Sequence, residues 1–318
     1  SDNASEWYAD DIHKMIEVLS ANGGPYTKLK TDINARAAFA LALSVTSVNT
    51  QVEENMAHAL EIYEAFDQTG RFPTDLGWGI SASEMRKKFR QLNRIIDELG
   101  MDMTIRFFNT PFLKSELVKM GFPGSEIEGV SVEDTVYGSY LLGPKLGSFF
   151  QNLTGNFDTV TIDKWFMRTW NRITGQLPSE AQIIEGATAF LRTNRRSAAR
   201  FGIDLTGVEE SPTATVEGAS ALARAMDKDW QALKKGGAKK EDKGRMHTQA
   251  GKFLNLLKAD EVPGALKRQF MDRTVRRSLE ILGDNGIHLP PAAMQATIWF
   301  PEQDLYEEMG GAPPKGAR

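Results

Sequence analysis

The chain contains no cysteine in its 318 residues. That absence excludes disulfides, thiolate metal sites, cysteine nucleophiles and cysteine-held iron–sulfur clusters together. Histidine is nearly as scarce. The four copies, at positions 13, 58, 247 and 288, are too dispersed to gather a metal cluster, so neither a metal nor another cofactor is expected. Long apolar runs are missing too. The longest, Ala37 to Val48, is interrupted by Ser44, Thr46 and Ser47 and falls short of the roughly 18–20 residues that cross a bilayer. No membrane association is expected, and the polar start Ser1-Asp2-Asn3-Ala4 has none of the marks of a secretory leader. Positive charge is not in excess either: the formal net charge is −4, with a pI near 5.7. A protein that coats nucleic acid over its whole surface is usually basic, so that class is disfavoured.

What is present is an ordinary globular composition, 41% hydrophobic and 25% charged, over a length that buries a real core. Charge is polarised along the chain. Between Lys164 and Arg200 seven basic residues face only Glu180 and Glu185. Apolar spacing predicts helices nearly throughout: Glu6 to Leu19; Ala35 to Val45, capped by Asn34; Gln51 to Phe66; Ser83 to Leu99, with a basic outer face of Arg86, Lys87, Lys88, Arg90 and Arg94; and Thr110 to Met120. Further helices are expected from Ser131 to Leu141, from Lys145 to Leu153, from Asp163 to Ile173 and from Glu180 to Ala199. The last three are Ala221 to Leu233, Pro263 to Leu282 and Pro291 to Met309. Ser131 with Asp134 three residues on approximates a capping box. Thr206 to Ser220 reads as an exposed loop, and Lys234 to Arg245 as a mobile basic loop of low complexity. No strand pattern persuades, which disfavours Rossmann and barrel enzymes.

One stretch carries chemistry. Leu141-Leu142-Gly143-Pro144-Lys145-Leu146-Gly147-Ser148 is followed by Val160-Thr161-Ile162-Asp163-Lys164-Trp165-Phe166-Met167-Arg168. It reads as helix, tight glycine hairpin, helix, short connector, and an aspartate opening one more helix. A glycine hairpin at a helix N-terminus presents unpaired N–H groups and the positive end of the dipole, a setting that binds phosphate without reading sequence.

On these residues the chain resembles the helix-hairpin-helix DNA glycosylase superfamily. That family carries a Gly-x-Gly-x-Lys hairpin, an apolar-x-Asp about 18 residues later and an arginine five residues beyond. Here Gly143-Pro144-Lys145 matches the second half of the hairpin, Lys145 to Asp163 spans 18 residues and Asp163 to Arg168 five. Asn152-Leu153 and Ile162-Asp163 also sit where the family places similar residues. The resemblance covers about residues 35–175. Its departures are Leu141 for the first hairpin glycine and Lys164-Trp165 after the aspartate. It implies an all-α helix-hairpin-helix fold with a glycosylase-like core over 1–177 and a C-terminal helical extension over 178–318. It also implies Lys145 as the nucleophile on C1′ of a flipped nucleotide and Asp163 as the carboxylate that assists deprotonation and steadies the cationic sugar. Lysine attacks only when neutral, and burial favours that state. A carboxylate offsets oxocarbenium charge.

DNA contacts are expected at Gly143, Gly147, Ser148 and Arg168. Thr46, Asn49 and Gln51 sit where the family places the side chain that fills the gap left by the flipped base. The implied partner is DNA and the implied location is the cytoplasm of a bacterial cell or phage-infected host. Three functions are open: a glycosylase with lyase activity; a base-hypermodifying transferase on the same fold, of the kind associated with thymine modification in phages, which would need a small-molecule co-substrate; and a DNA-binding module without chemistry.

Overall fold

The computed structural model describes residues 3–48, 50, 52–77, 82–122, 127, 133–236, 244–257 and 263–308. Among these the chain is almost wholly helical, with one two-stranded sheet, and no helix is long and apolar enough to cross a membrane. It divides into two compact units, Ser1–Phe166 with Val262–Arg318, and Met167–Glu261. Residues 262–318 thus join the first unit rather than a C-terminal half beginning at 178.

In the first unit, helix α1 (Asn3–Ala21) leads through a 3-10 segment, Gly24–Lys30, to α2 (Ile33–Thr46). α2 is buried on every side from Ala37 to Thr46, because five alanines in its first ten residues let neighbours approach closely. Its N-cap is Asp32, whose carboxylate accepts from the Asn34 and Ala35 N–H groups. The expected cap, Asn34, instead sits inside the first turn and donates to Asp102 at 2.5 Å. The acidic side chain is the better partner for the positive helix start. α3 (Val52–Thr69) and α4 (Ala82–Leu99) follow. Between them the irregular segment after Thr69 is pinned by Asn93, whose amide side chain bonds both the N–H and the carbonyl of Phe72 at 2.8 Å.

The region after α4 departs from the expected pattern. Gly100 opens a helix, α5 (Met101–Phe108), between the helices expected at Ser83 to Leu99 and Thr110 to Met120. The helix expected from Thr110 to Met120 is strand β1 (Pro111–Leu113) followed by the short α6 (Lys114–Lys119). The helix expected from Ser131 to Leu141 is strand β2 (Thr135–Tyr137) followed by a 3-10 segment, Gly138–Leu142; Ser131 itself lies outside the described residues. β1 and β2 pair antiparallel, Phe112 opposite Val136. Thr135, Val136 and Tyr137 form a β-branched and aromatic run that favours the ladder once a partner strand is nearby. α7 (Pro144–Leu153) comes next, and α8 (Lys164–Ile173) begins at the end of this stretch, most of it falling in the second unit. The first unit closes with α12 (Ala265–Asp284) and α13 (Pro291–Glu308), which follow the helices of the second unit.

The second unit contains α9 (Glu180–Asn194), a 3-10 segment Arg195–Phe201, α10 (Pro212–Lys235) and α11 (Arg245–Leu257) around its own core of Phe190, Leu222, Met226 and Phe253. The loop expected from Thr206 to Ser220 turns helical at Pro212. Proline is suited to a first helical turn, and Ser211 Oγ accepts from the Ala214 N–H. Of the loop expected at 234–245, residues 237–243 lie outside the described residues, and α11 begins at Arg245.

Candidate active site

The candidate site is assembled at the start of α7. The chain leaves β2, makes the 3-10 segment Gly138–Leu142 and reverses at Gly143, whose φ of 98° is the left-handed region that favours glycine. The element before the turn is therefore a strand and a 3-10 segment, not the α-helix expected of a helix-hairpin-helix. The Gly143 N–H donates to the Tyr140 carbonyl, and its own carbonyl accepts from the Gly147 N–H, both at 2.8 Å. Pro144 stands at the first helical position with no N–H to leave unpaired. Helix geometry leaves the Lys145 and Leu146 N–H groups without an acceptor four residues back.

Lys145 is half-buried, and its Nζ donates to the Ser47 carbonyl at 3.1 Å, at the C-terminal end of α2. Burial holds its amine below the ordinary lysine range, and the Asp163 carboxylate nearby opposes that shift in part. Asp163 is half-buried just ahead of α8, and its Oδ1 accepts from the Phe166 N–H at 2.9 Å. One carboxylate thus caps a helix and lies within electrostatic reach of a desolvated amine. That arrangement suits a lysine that must lose its proton to react.

The connector between the two residues is tied at several points. The buried Asn152 side chain bridges Thr159 Oγ1 at 2.8 Å and Thr161 Oγ1 at 3.2 Å. Gln151 donates to the Phe108 carbonyl at 2.9 Å and to Ser139 Oγ at 3.1 Å. α13 holds the far side: Gln295 Oε1 accepts from the Thr161 N–H at 2.8 Å, and the Ala292 N–H donates to the Phe157 carbonyl at 3.0 Å. The placement of Asp163 therefore depends on a residue more than a hundred positions away. No local pattern reveals Gln295, which falls in the helix expected from Pro291 to Met309.

The remaining expected residues fare differently. Gly147 and Ser148 are buried. A β-carbon on Gly147 would lie 2.7 Å from the Ser139 carbonyl oxygen and 2.9 Å from Tyr140 Cα, so this glycine lets α7 lie against the 3-10 segment. Ser148 Oγ hydrogen-bonds the Tyr140 hydroxyl at 2.8 Å. Gly147 thus serves packing, and the Ser148 hydroxyl is held by Tyr140 at the wall of a cavity; neither residue lies on an exposed face. Thr46 is fully buried, its Oγ1 donating to the Ala42 carbonyl at 2.8 Å and bonding Asn55 Oδ1 at 2.6 Å. It is committed to joining α2 and α3, not to filling a gap in a duplex. Arg168 is half-buried on α8. Asn49 and Gln51 lie outside the described residues. The basic helix α4 approaches the turn, since Lys88 Nζ donates to the Leu141 carbonyl at 3.4 Å.

A cavity of about 600 Å³ adjoins the turn. Pro144 and Ile162, each one residue before a candidate catalytic residue, line it together with Tyr140 of the 3-10 segment, Ser148 of α7 and Arg268, Arg273 and Arg276 of α12. Sequence inspection missed Tyr140 and Arg268. The signal for the arginines was available, because Arg268, Asp272 and Arg276 recur every four residues and share one helix face. No known protein family, curated protein or solved structure matches the chain.

Proposed function

We propose that this chain is a DNA-acting enzyme of the helix-hairpin-helix glycosylase type, with Lys145 as nucleophile and Asp163 as its carboxylate partner. The observation that carries the reading is the desolvated Lys145 amine at the start of the Gly143-capped helix, with the Asp163 carboxylate acting on it. The Ser47 carbonyl orients Nζ, and the lowered affinity for protons leaves a larger neutral fraction near neutral pH. A nucleotide turned out of the stack, at a cost of a few kcal/mol, would bring C1′ to Nζ. The neutral amine adds to C1′ as the C1′–N bond breaks, and the base leaves with the electron pair and takes up a proton. Nζ then loses a proton to Asp163, and opening of the sugar gives a Schiff base whose β-elimination cuts the 3′ phosphate ester. Asp163 also offsets the positive charge that develops on the sugar. Lys87, Arg90 and Arg94, exposed on α4 at spacings of three and four, supply phosphate contacts on the side where Lys88 meets the turn.

One observation favours a second reading, transfer of a group to a DNA base: the cavity beside Pro144 and Ile162 has room for a co-substrate. Borohydride reduction on oligonucleotides carrying an abasic site, oxidised bases, uracil or 5-hydroxymethyluracil separates the two. A covalent adduct lost in Lys145→Gln supports glycosylase/lyase chemistry. DNA binding with no adduct on any substrate supports transfer, or a binding module.

A further inference from the structure

We propose that the cavity between the β2–α7 turn and α12 is a binding site for a phosphoryl oxyanion, with Arg268 as its principal cation and Arg273 and the Tyr140–Ser148 hydroxyl pair completing it. The inference stands apart from the chemistry assigned to Lys145.

The charges of the cavity are unequally satisfied. Arg276 is engaged: Nε donates to Asp272 Oδ2 at 2.8 Å and Nη2 to the Asp158 carbonyl at 3.0 Å. Asp134 accepts from the Gln269 side-chain amide. Of the three carboxylates along the lining, Asp272 and Asp134 are thus held by neighbours, and Asp158 is solvent-exposed. Arg268 is different. Among the described residues its Nη2 reaches only a neutral acceptor, the Pro263 carbonyl at 3.1 Å, and its buried Nε has no hydrogen-bond partner. No carboxylate among the described residues is within ion-pair distance of it, and burial weakens its hold on the proton. A guanidinium drawn out of water without a counter-charge is costly, and an anion in the cavity offsets that cost.

The donors indicate which anion. Tyr140 Oη and Ser148 Oγ lie 2.8 Å apart. One hydroxyl donates to the other, and the second hydrogen is left to point elsewhere. With the forks of Arg268 and the exposed Arg273, the lining offers more donors than the two oxygens of a carboxylate can take and enough for the three terminal oxygens of a phosphoryl group. The volume, about 600 Å³, lies within the roughly 300–1,000 Å³ of small-molecule sites. The oxyanion has two sources, a free phosphorylated molecule or a phosphate of the DNA backbone.

Calorimetric titration of the full chain with inorganic phosphate, pyrophosphate and a short DNA duplex tests this. If a free phosphorylated molecule is the ligand, phosphate or pyrophosphate binds saturably, Arg268→Gln weakens it at least about tenfold, and duplex affinity is the same in the parent and Arg268→Gln proteins. If the backbone supplies the oxyanion, Arg268→Gln weakens duplex binding and lowers its salt slope by about one. Either result supports the site. Arg273→Gln, at an exposed position, gives the same direction and carries the test should Arg268→Gln fail to fold. Folded Arg268→Gln and Arg273→Gln proteins that bind phosphate, pyrophosphate and duplex as the parent does would overturn the proposal. Because no covalent adduct is read, failure here is distinguishable from failure of the Lys145 mechanism.

Discussion

Replacing Gly147 with alanine tests how closely α7 is held against the turn that presents Lys145. The added β-carbon would stand 2.7 Å from the Ser139 carbonyl oxygen, 2.8 Å from its carbon and 2.9 Å from Tyr140 Cα. All three atoms are backbone, so none can swing aside as a side chain would. Relief requires α7 and the 3-10 segment to separate by several tenths of an ångström, with Ser139, Leu141 and Leu142 buried along the seam. Overpacking of this kind costs about 1–3 kcal/mol. Because all three contacts are to backbone and shorter than 3.0 Å, the upper part of that range applies, about 2–3 kcal/mol; alanine returns about 0.5–1 kcal/mol through its higher helix propensity, leaving a net loss of about 1–2.5 kcal/mol. For a unit of this size that lowers Tm by about 2–10 °C. The assay is thermal unfolding followed by circular dichroism, with Gly77→Ala as control, since a β-carbon there meets nothing within 4 Å. A Gly147→Ala protein as stable as the parent would refute the close approach. The turn would then be looser than described, and the placement of Lys145 would need another support.

Other expectations follow from the same structure. Thr46→Val keeps the shape of a buried residue but leaves Asn55 Oδ1 without its 2.6 Å partner; urea unfolding is expected to show a loss of about 1–3 kcal/mol. Gln295→Leu removes the acceptor of the Thr161 N–H and is expected to cost a similar amount, while lowering activity more than DNA affinity, because it loosens the connector that ends at Asp163. Lys145→Met removes a desolvated amine. Because the native pKa of Lys145 lies below the ordinary 10.5, the unfolded chain holds the extra proton and the parent gains stability as pH rises. Lys145→Met is therefore expected to be the more stable protein at neutral pH, with an advantage that shrinks between the lowered native value and 10.5. A pH-independent difference in denaturant midpoint would contradict the burial of that amine.

Much of the helical framework is legible because apolar residues recur at helical spacing with glycine stops, as in α3, α4 and α7. The misreadings share a physical cause. Thr135 to Tyr137 takes a strand conformation only because Pro111 to Leu113 lies opposite, and a partner more than twenty residues away leaves no trace in a local window. Pro212 falls in a segment that reads as a loop because Thr206 to Ser211 is largely polar and contains Gly207, although proline also opens helices. The candidate pair rests on the resemblance, through Gly143-Pro144-Lys145 and an Asp163 spaced 18 residues on; the structure adds that each stands at the head of a helix. The burial of Gly147 and Ser148 and the role of Gln295 arise from tertiary contact, and adjacent residues do not encode them visibly. Arg268 falls between these cases, since its periodicity on α12 can be read but its lack of a carboxylate partner among the described residues cannot.

Trapping by borohydride on the lesion-bearing oligonucleotides tests the central claim most directly, with the parent, Lys145→Gln and Asp163→Asn proteins compared at equal DNA occupancy. The account predicts a covalent adduct with the parent on at least one substrate and none with Lys145→Gln. It further predicts that Asp163→Asn loses base release by several orders of magnitude while binding DNA nearly as the parent does. An adduct that persists in Lys145→Gln, or full activity in Asp163→Asn, would contradict it.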